Sequence, residues 1–91
     1  MSVRVEFYGI VRQRVGTSYC ELEMADGPLC LSQILRRLEQ QYPALASDCL
    51  QNGRLCTGYV ANLDGQEFVM DPATPVRPGQ TVLILSADAG G

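Results

Sequence analysis

The chain has no histidine and no lysine among its 91 residues, and all seven basic residues are arginines. Histidine is the side chain that ordinarily titrates near neutrality and the commonest metal ligand. Lysine supplies Schiff bases and the ammonium of phosphate-binding loops. Without either, few general bases or metal ligands remain, and the chain is not expected to act as an autonomous enzyme. No apolar run approaches the roughly 20 residues of a membrane span. The opening stretch MSVRVEFYG alternates charged and apolar residues, unlike a secretory signal. These two absences predict a cytoplasmic protein that does not enter membranes. The net charge is −3, and the arginines are scattered over positions 4, 12, 14, 36, 37, 54 and 77. With no basic stripe to meet a phosphate backbone, nucleic acid is not expected as a partner.

Cysteine is present, but not in a metal-binding pattern. Cys20, Cys30, Cys49 and Cys56 include no C-x-x-C pair, and no histidine can complete a zinc site. The expectation is no bound metal and four reduced, buried thiols that act as small hydrophobes.

The length suits one domain with a single modest core. Val3, Val5 and Phe7 alternate with Arg4, Glu6 and Tyr8, the period-two pattern of a strand with one face on a core. Residues 9–17 read as a turn. From Tyr19 to Met24 the alternation resumes, with Cys20, Leu22 and Met24 on one side, which predicts an antiparallel pair with the first strand. Ala25-Asp26-Gly27-Pro28 breaks that strand. Leu31, Ile34, Leu35 and Leu38 then follow helical spacing until Tyr42-Pro43 stops the helix. Arg36 and Arg37 read as a solvated helix surface. Residues 43–53 read as irregular, with Asn52-Gly53 turning into a second set of strands. Thr57 to Leu63 and Gln66 to Met70 form a hairpin about Asp64-Gly65. Pro78-Gly79 leads into a last strand, TVLILS, over Thr81 to Ser86. That strand is apolar on both faces, which predicts a central position in the sheet. The fold class is therefore α+β, a mixed sheet of about five strands packed on one main helix. Val82 and Ile84 point to one face of the last strand and Leu83 and Leu85 to the other. One pair is left to be exposed or covered by a partner, and the sequence does not say which.

The strand VRVEFYG, the helix LSQILRRLEQQYP, the VANLDGQEF turn, the VRPGQTVLIL approach and the final Gly90-Gly91 occur in an order that resembles the ubiquitin-like sulfur carriers. This is the family of the molybdopterin-synthase small subunit and the thiamin-pathway sulfur carrier. The resemblance covers nearly the whole chain. It implies a β-grasp domain over residues 1–86 whose first and last strands lie parallel at the centre of the sheet, with residues 87–91 as a flexible diglycine tail.

The resemblance also implies a function. An enzyme related to the ubiquitin-activating enzymes would adenylate the Gly91 carboxylate at the expense of ATP. A sulfurtransferase or other sulfur donor would convert it to a thiocarboxylate, and the carrier would deliver that sulfur to a biosynthetic acceptor. For molybdopterin, the first candidate product, the acceptor is the large subunit of the synthase. No cofactor is expected to be tightly bound. Gly90 and Gly91 present no side chain to a narrow partner site, and Ala87, Asp88 and Ala89 form the lead-in, with Val82, Leu83, Ile84 and Leu85 upstream as candidate partner-binding residues. Many relatives carry a proline and a bulkier apolar residue in this lead-in, whereas here Asp88 puts a charge near the terminal carboxylate. Two other readings share the sequence. One is a protein modifier joined through Gly91 to lysines of a target, and the other is a non-catalytic interaction module.

Overall fold

The computed structural model describes residues 1–25 and 27–87. Strand β1 (Ser2–Phe7) leads into a short helix α1 (Gly9–Val15), and β2 (Tyr19–Glu23) returns antiparallel beside β1. After β3 (Leu29–Cys30) comes the main helix α2 (Leu31–Gln41), followed by a single 3-10 turn over Pro43–Ala46. The remaining strands are β4 (Leu50–Gln51), β5 (Arg54–Leu55), β6 (Tyr59–Leu63), β7 (Glu67–Val69), β8 (Pro75–Val76) and β9 (Thr81–Ser86). Five of them form one mixed sheet in the order β2-β1-β9-β6-β7. The first and last strands are parallel neighbours at its centre, as the resemblance implies.

Strand alternation explains the core. Val3, Val5 and Phe7 of β1, Leu22 of β2, Ala61 of β6, and Val82 and Ile84 of β9 all turn to one face and are buried. Leu31, Ile34, Leu35 and Leu38 of α2 are buried with them, so the helix lays its apolar stripe against the sheet. The Phe7 ring meets Tyr42 edge-on, with centroids 5.5 Å apart. Backbone groups at the start of α2 are satisfied locally. Gln33 Oε1 accepts from the Cys30 N–H at 2.9 Å, and the Leu31 and Ser32 N–H groups donate to the carbonyls of Thr74 and Pro72. The proline-rich loop is thereby tied to the helix end.

Two expectations are corrected. Residues 9–17 are not a simple turn, because Gly9–Val15 is helical and Gly16 closes it in the left-handed region at φ 82°. Its N–H donates to the Arg12 carbonyl. Val11 is fully buried and Val15 packs partly on the core, one helical turn apart. The segment 43–53 is more regular than expected. Asn52 (φ 53°) and Gly53 (φ 76°) are the two left-handed residues of a tight hairpin that joins β4 to β5. Asp64 (φ 58°) and Gly65 (φ 71°) make the corresponding turn between β6 and β7, as expected.

No helix among the described residues is long and apolar enough to cross a membrane. Among the same residues, no group of three or more His, Cys, Asp or Glu side chains is arranged to hold a metal ion.

Candidate functional site

The strand that leads toward Gly91 pairs with β1 from Thr81 to Ile84 and with β6 from Val82 to Ser86. Within the parallel pair Ile84 lies opposite Phe7, and on the other side Ser86 lies opposite Tyr59. The Tyr8 N–H donates to the Ile84 carbonyl at 3.1 Å, and the Ala87 N–H donates to the Gly58 carbonyl at 2.7 Å. Ala87, the last described residue, is therefore still anchored to the sheet, and the chain leaves it beside Gly58. Asp88, Ala89, Gly90 and Gly91 lie outside the described residues, so four of the sequence-predicted site residues have no placement here.

The two faces of β9 are unequal. Val82 and Ile84 are wholly buried against the helices, whereas Leu83 and Leu85 are half-buried on the face away from α2. The pair left open by the sequence is thus Leu83 and Leu85. Cross-strand register assembles their surroundings: one row across the sheet reads Tyr19, Glu6, Leu83, Asn62, Phe68, and Val60 stands opposite Leu85. Phe68 is 66% exposed, an unusual value for a phenylalanine on a sheet. The outcome is an apolar patch about Leu83, Leu85, Val60 and Phe68 on the open face.

Three residues on this face were not identified as site candidates from the sequence. The Glu6 carboxylate accepts from the Tyr8 hydroxyl at 2.6 Å and from Arg4 Nε at 2.9 Å, and the Arg4 guanidinium lies 3.8 Å from the centre of the Tyr19 ring. The Tyr8 hydrogen bond, followed by the Arg4 hydrogen bond, holds the Glu6 carboxyl below its usual pKa. The same bond raises the Tyr8 phenol. Arg4 and Glu6 of β1 and Tyr8, the extended residue just beyond it, occupy alternate positions, so period two places them on one face, but their mutual bonding needs three dimensions. Asn62 is another residue the sequence reading passed over. It is only 8% exposed, between Leu83 and Phe68 in the cross-strand row, and its Oδ1 has no hydrogen-bond partner among the described residues.

At the opposite end of β9, the Asp64 carboxylate accepts from the Thr81 N–H at 2.8 Å and from Gln80 Nε2 at 2.9 Å. The β6–β7 turn thereby fixes where β9 begins, and with it the register that delivers Ala87 to Gly58. Cys20 and Cys49 are buried, but Cys30 and Cys56 are partly exposed, so only two of the four thiols match the buried expectation.

No protein-family model and no curated protein sequence matches the chain. Solved structures do. The small archaeal modifier SAMP1 of Haloferax volcanii superimposes with a TM-score of 0.83 over 100% of both chains at 18% identity. A Pyrococcus furiosus protein assigned as subunit 1 of molybdopterin converting factor gives 0.73 over 94% of this chain and 97% of its own, at 15% identity. A chain of the BexX/CysO complex of Amycolatopsis orientalis gives 0.70 over 98% and 99%, at 22% identity. End-to-end agreement of this kind, with the parallel β1–β9 pair at the centre of the sheet, shows that the chain has the β-grasp fold of the ubiquitin-like proteins.

Proposed function

We propose that the protein is a sulfur carrier whose Gly91 carboxylate is activated and thiolated by partner enzymes. The observation that carries this reading is the course of β9. The strand is paired with β1 through Ile84 and with β6 through Ser86, Ala87 is bonded to Gly58, and the apolar patch of Leu83, Leu85 and Phe68 beside it offers a seat for a larger protein. In the proposed cycle a Gly91 carboxylate oxygen attacks the α-phosphate of ATP, pyrophosphate leaves, and an acyl-adenylate forms. Sulfide delivered by a donor protein then attacks the acyl carbon, AMP leaves, and a thiocarboxylate forms. Its sulfur bonds to the substrate of an acceptor synthase, and water cleaves the C–S bond to return the Gly91 carboxylate. Every acid, base and metal in this cycle belongs to the partners, in keeping with a chain that lacks histidine and lysine. Likeness to a molybdopterin converting factor subunit and to a chain of the BexX/CysO complex supports a sulfur-transfer role, with a molybdopterin-synthase large subunit as the first acceptor to try.

The likeness to SAMP1, a modifier protein, favours a second reading in which the same activated Gly91 is joined to a lysine of a target. With no lysine of its own, the protein would be attached singly and not in chains built on itself. Incubation with ATP and an activating enzyme from the same cell tests both readings. An acyl-adenylate at Gly91 is expected, and its absence would overturn both. Adding a sulfur donor to one reaction and a lysine-bearing acceptor protein to another then separates them. The carrier reading predicts replacement of one oxygen by sulfur, and the modifier reading predicts an amide-linked conjugate.

A further inference from the structure

Cys49 and Cys56 flank the β4–β5 hairpin in matched positions. Leu50 lies opposite Leu55 and Gln51 opposite Arg54, so one step farther from the turn brings Cys49 opposite Cys56. The Cys56 N–H donates to the Cys49 carbonyl at 2.8 Å, which holds the two backbones together at that step. The Cys49 N–H donates instead to the Leu45 carbonyl at 3.1 Å, and directly opposed residues of an antiparallel pair have Cα atoms about 4.5–5.5 Å apart. That separation falls within the roughly 4.4–6.8 Å spanned by disulfides. No such register joins Cys20, which sits within β2, to Cys30, which ends β3.

We propose that Cys49 and Cys56 are a dithiol site that a low-molecular-weight disulfide, such as oxidised glutathione, converts to a cystine bridge across the hairpin. The proposal is independent of the sulfur-carrier reading. The two thiols play different parts. Cys56 is partly exposed and can be reached from solvent, whereas Cys49 is wholly buried. Burial, with the Asp48 carboxylate and the Cys56 thiol adding to it, pushes Cys49 up to about 12. In the first step the Cys56 thiolate attacks one sulfur of the small disulfide, whose S–S bond breaks and releases one thiolate. In the second step Cys49 attacks Cys56 Sγ and passes its proton to the small thiolate as it departs. The mixed disulfide breaks, the second small thiolate leaves, and the Cys49–Cys56 bond forms. Two protein thiols are oxidised and one small disulfide is reduced, so electrons balance. The bridge would close one end of the loop whose other end, Gly58, holds Ala87.

The test is to incubate the full chain with oxidised glutathione, alkylate the remaining thiols in denaturant, and map the peptides by mass. The expected product has lost two hydrogens, with the Cys49 peptide linked to the Cys56 peptide. A Cys20→Ala/Cys30→Ala variant should form the same link, and Cys56→Ser should form none. Linkage between other cysteines, no linkage, or glutathione retained on Cys56 with Cys49 alkylated would overturn the proposal. Should Cys56→Ser fail to fold, the variant that keeps only Cys49 and Cys56 still decides it.

Discussion

The Ala87 N–H donates to the Gly58 carbonyl at 2.7 Å, one step beyond the point where β9 and β6 pair through Ser86 and Tyr59. This bond sets the place where the tail departs. Ala87→Pro deletes the donor and should lower stability by about 1 kcal/mol, the typical worth of one backbone hydrogen bond. Urea unfolding measures the difference. An unchanged midpoint would show that the bond does not persist in solution.

The two faces of β9 should separate stability from docking. Ile84→Ala opens a cavity in the core and should destabilise by about 2–5 kcal/mol. Leu83→Ser acts on the half-buried face, and its expected effect on stability is smaller. Its expected effect on affinity for an activating or acceptor enzyme is a loss of tenfold or more. Calorimetric unfolding and a binding titration, run on both variants, read the two quantities. Equal affinities for parent and Leu83→Ser would remove the open face from the account.

The pH dependence of the open face is fixed by Glu6. Its carboxyl is held down in the folded state, first by Tyr8 and then by Arg4, so it contributes stability at pH values above its unfolded pKa. That contribution is lost as pH falls through the lower, folded pKa. Tyr8→Phe removes the largest cause, and the Glu6 titration should move up toward the ordinary glutamate range. Carboxyl carbon shifts followed by NMR check this. A Glu6 midpoint that stays in place after Tyr8→Phe would contradict the assignment.

The β4–β5 turn supplies a backbone test. Gly53 has φ 76°, its N–H donates to Glu39 Oε1 at 2.8 Å, and a Cβ placed there would stand 2.6 Å from Ser32 Oγ and 2.8 Å from Arg36 Cγ. Gly53→Ala therefore combines left-handed strain with a clash against α2, and should destabilise by about 1–3 kcal/mol. Asn52→Gly, at the neighbouring left-handed position, should be nearly neutral. Equal midpoints for Gly53→Ala and the parent in thermal unfolding would contradict the close approach of this hairpin to the helix.

The legible parts of the fold are those in which a period of strand or helix repeats several times. Val3, Val5 and Phe7 on alternate positions, and Leu31, Ile34, Leu35 and Leu38 at helical spacing, are buried as read. Helix α1 escaped because its seven residues bury only Val11 and leave Ile10 43% exposed, too little for a helical stripe to show. The two-residue strands β3, β4, β5 and β8 are too short for alternation, and Pro75 within β8 argues locally against a strand. At the candidate site, residues 82–85 could be divided into two faces from the sequence. Choosing the open face required the neighbours, since the helices cover the side of Val82 and Ile84. The Arg4–Glu6–Tyr8 network and the buried Asn62 depend on rotamers and cross-strand register, which no single strand encodes.

The Gly91 carboxylate is proposed as the working end of the molecule. Deleting Gly91 draws the carboxylate back by about 3.5 Å along an extended chain. A displacement near 1 Å can already reduce a rate by about a hundredfold. Gly90→Val should do similar damage by placing a branched side chain in the partner's channel. The decisive measurement is the intact mass of the parent and the Gly91 deletion after incubation with the cognate activating enzyme, ATP and a sulfur donor, with thermal unfolding recorded for both. Equal unfolding midpoints are expected, with replacement of one oxygen by sulfur in the parent and no replacement in the deletion. A deletion variant thiolated as fully as the parent would contradict the proposal.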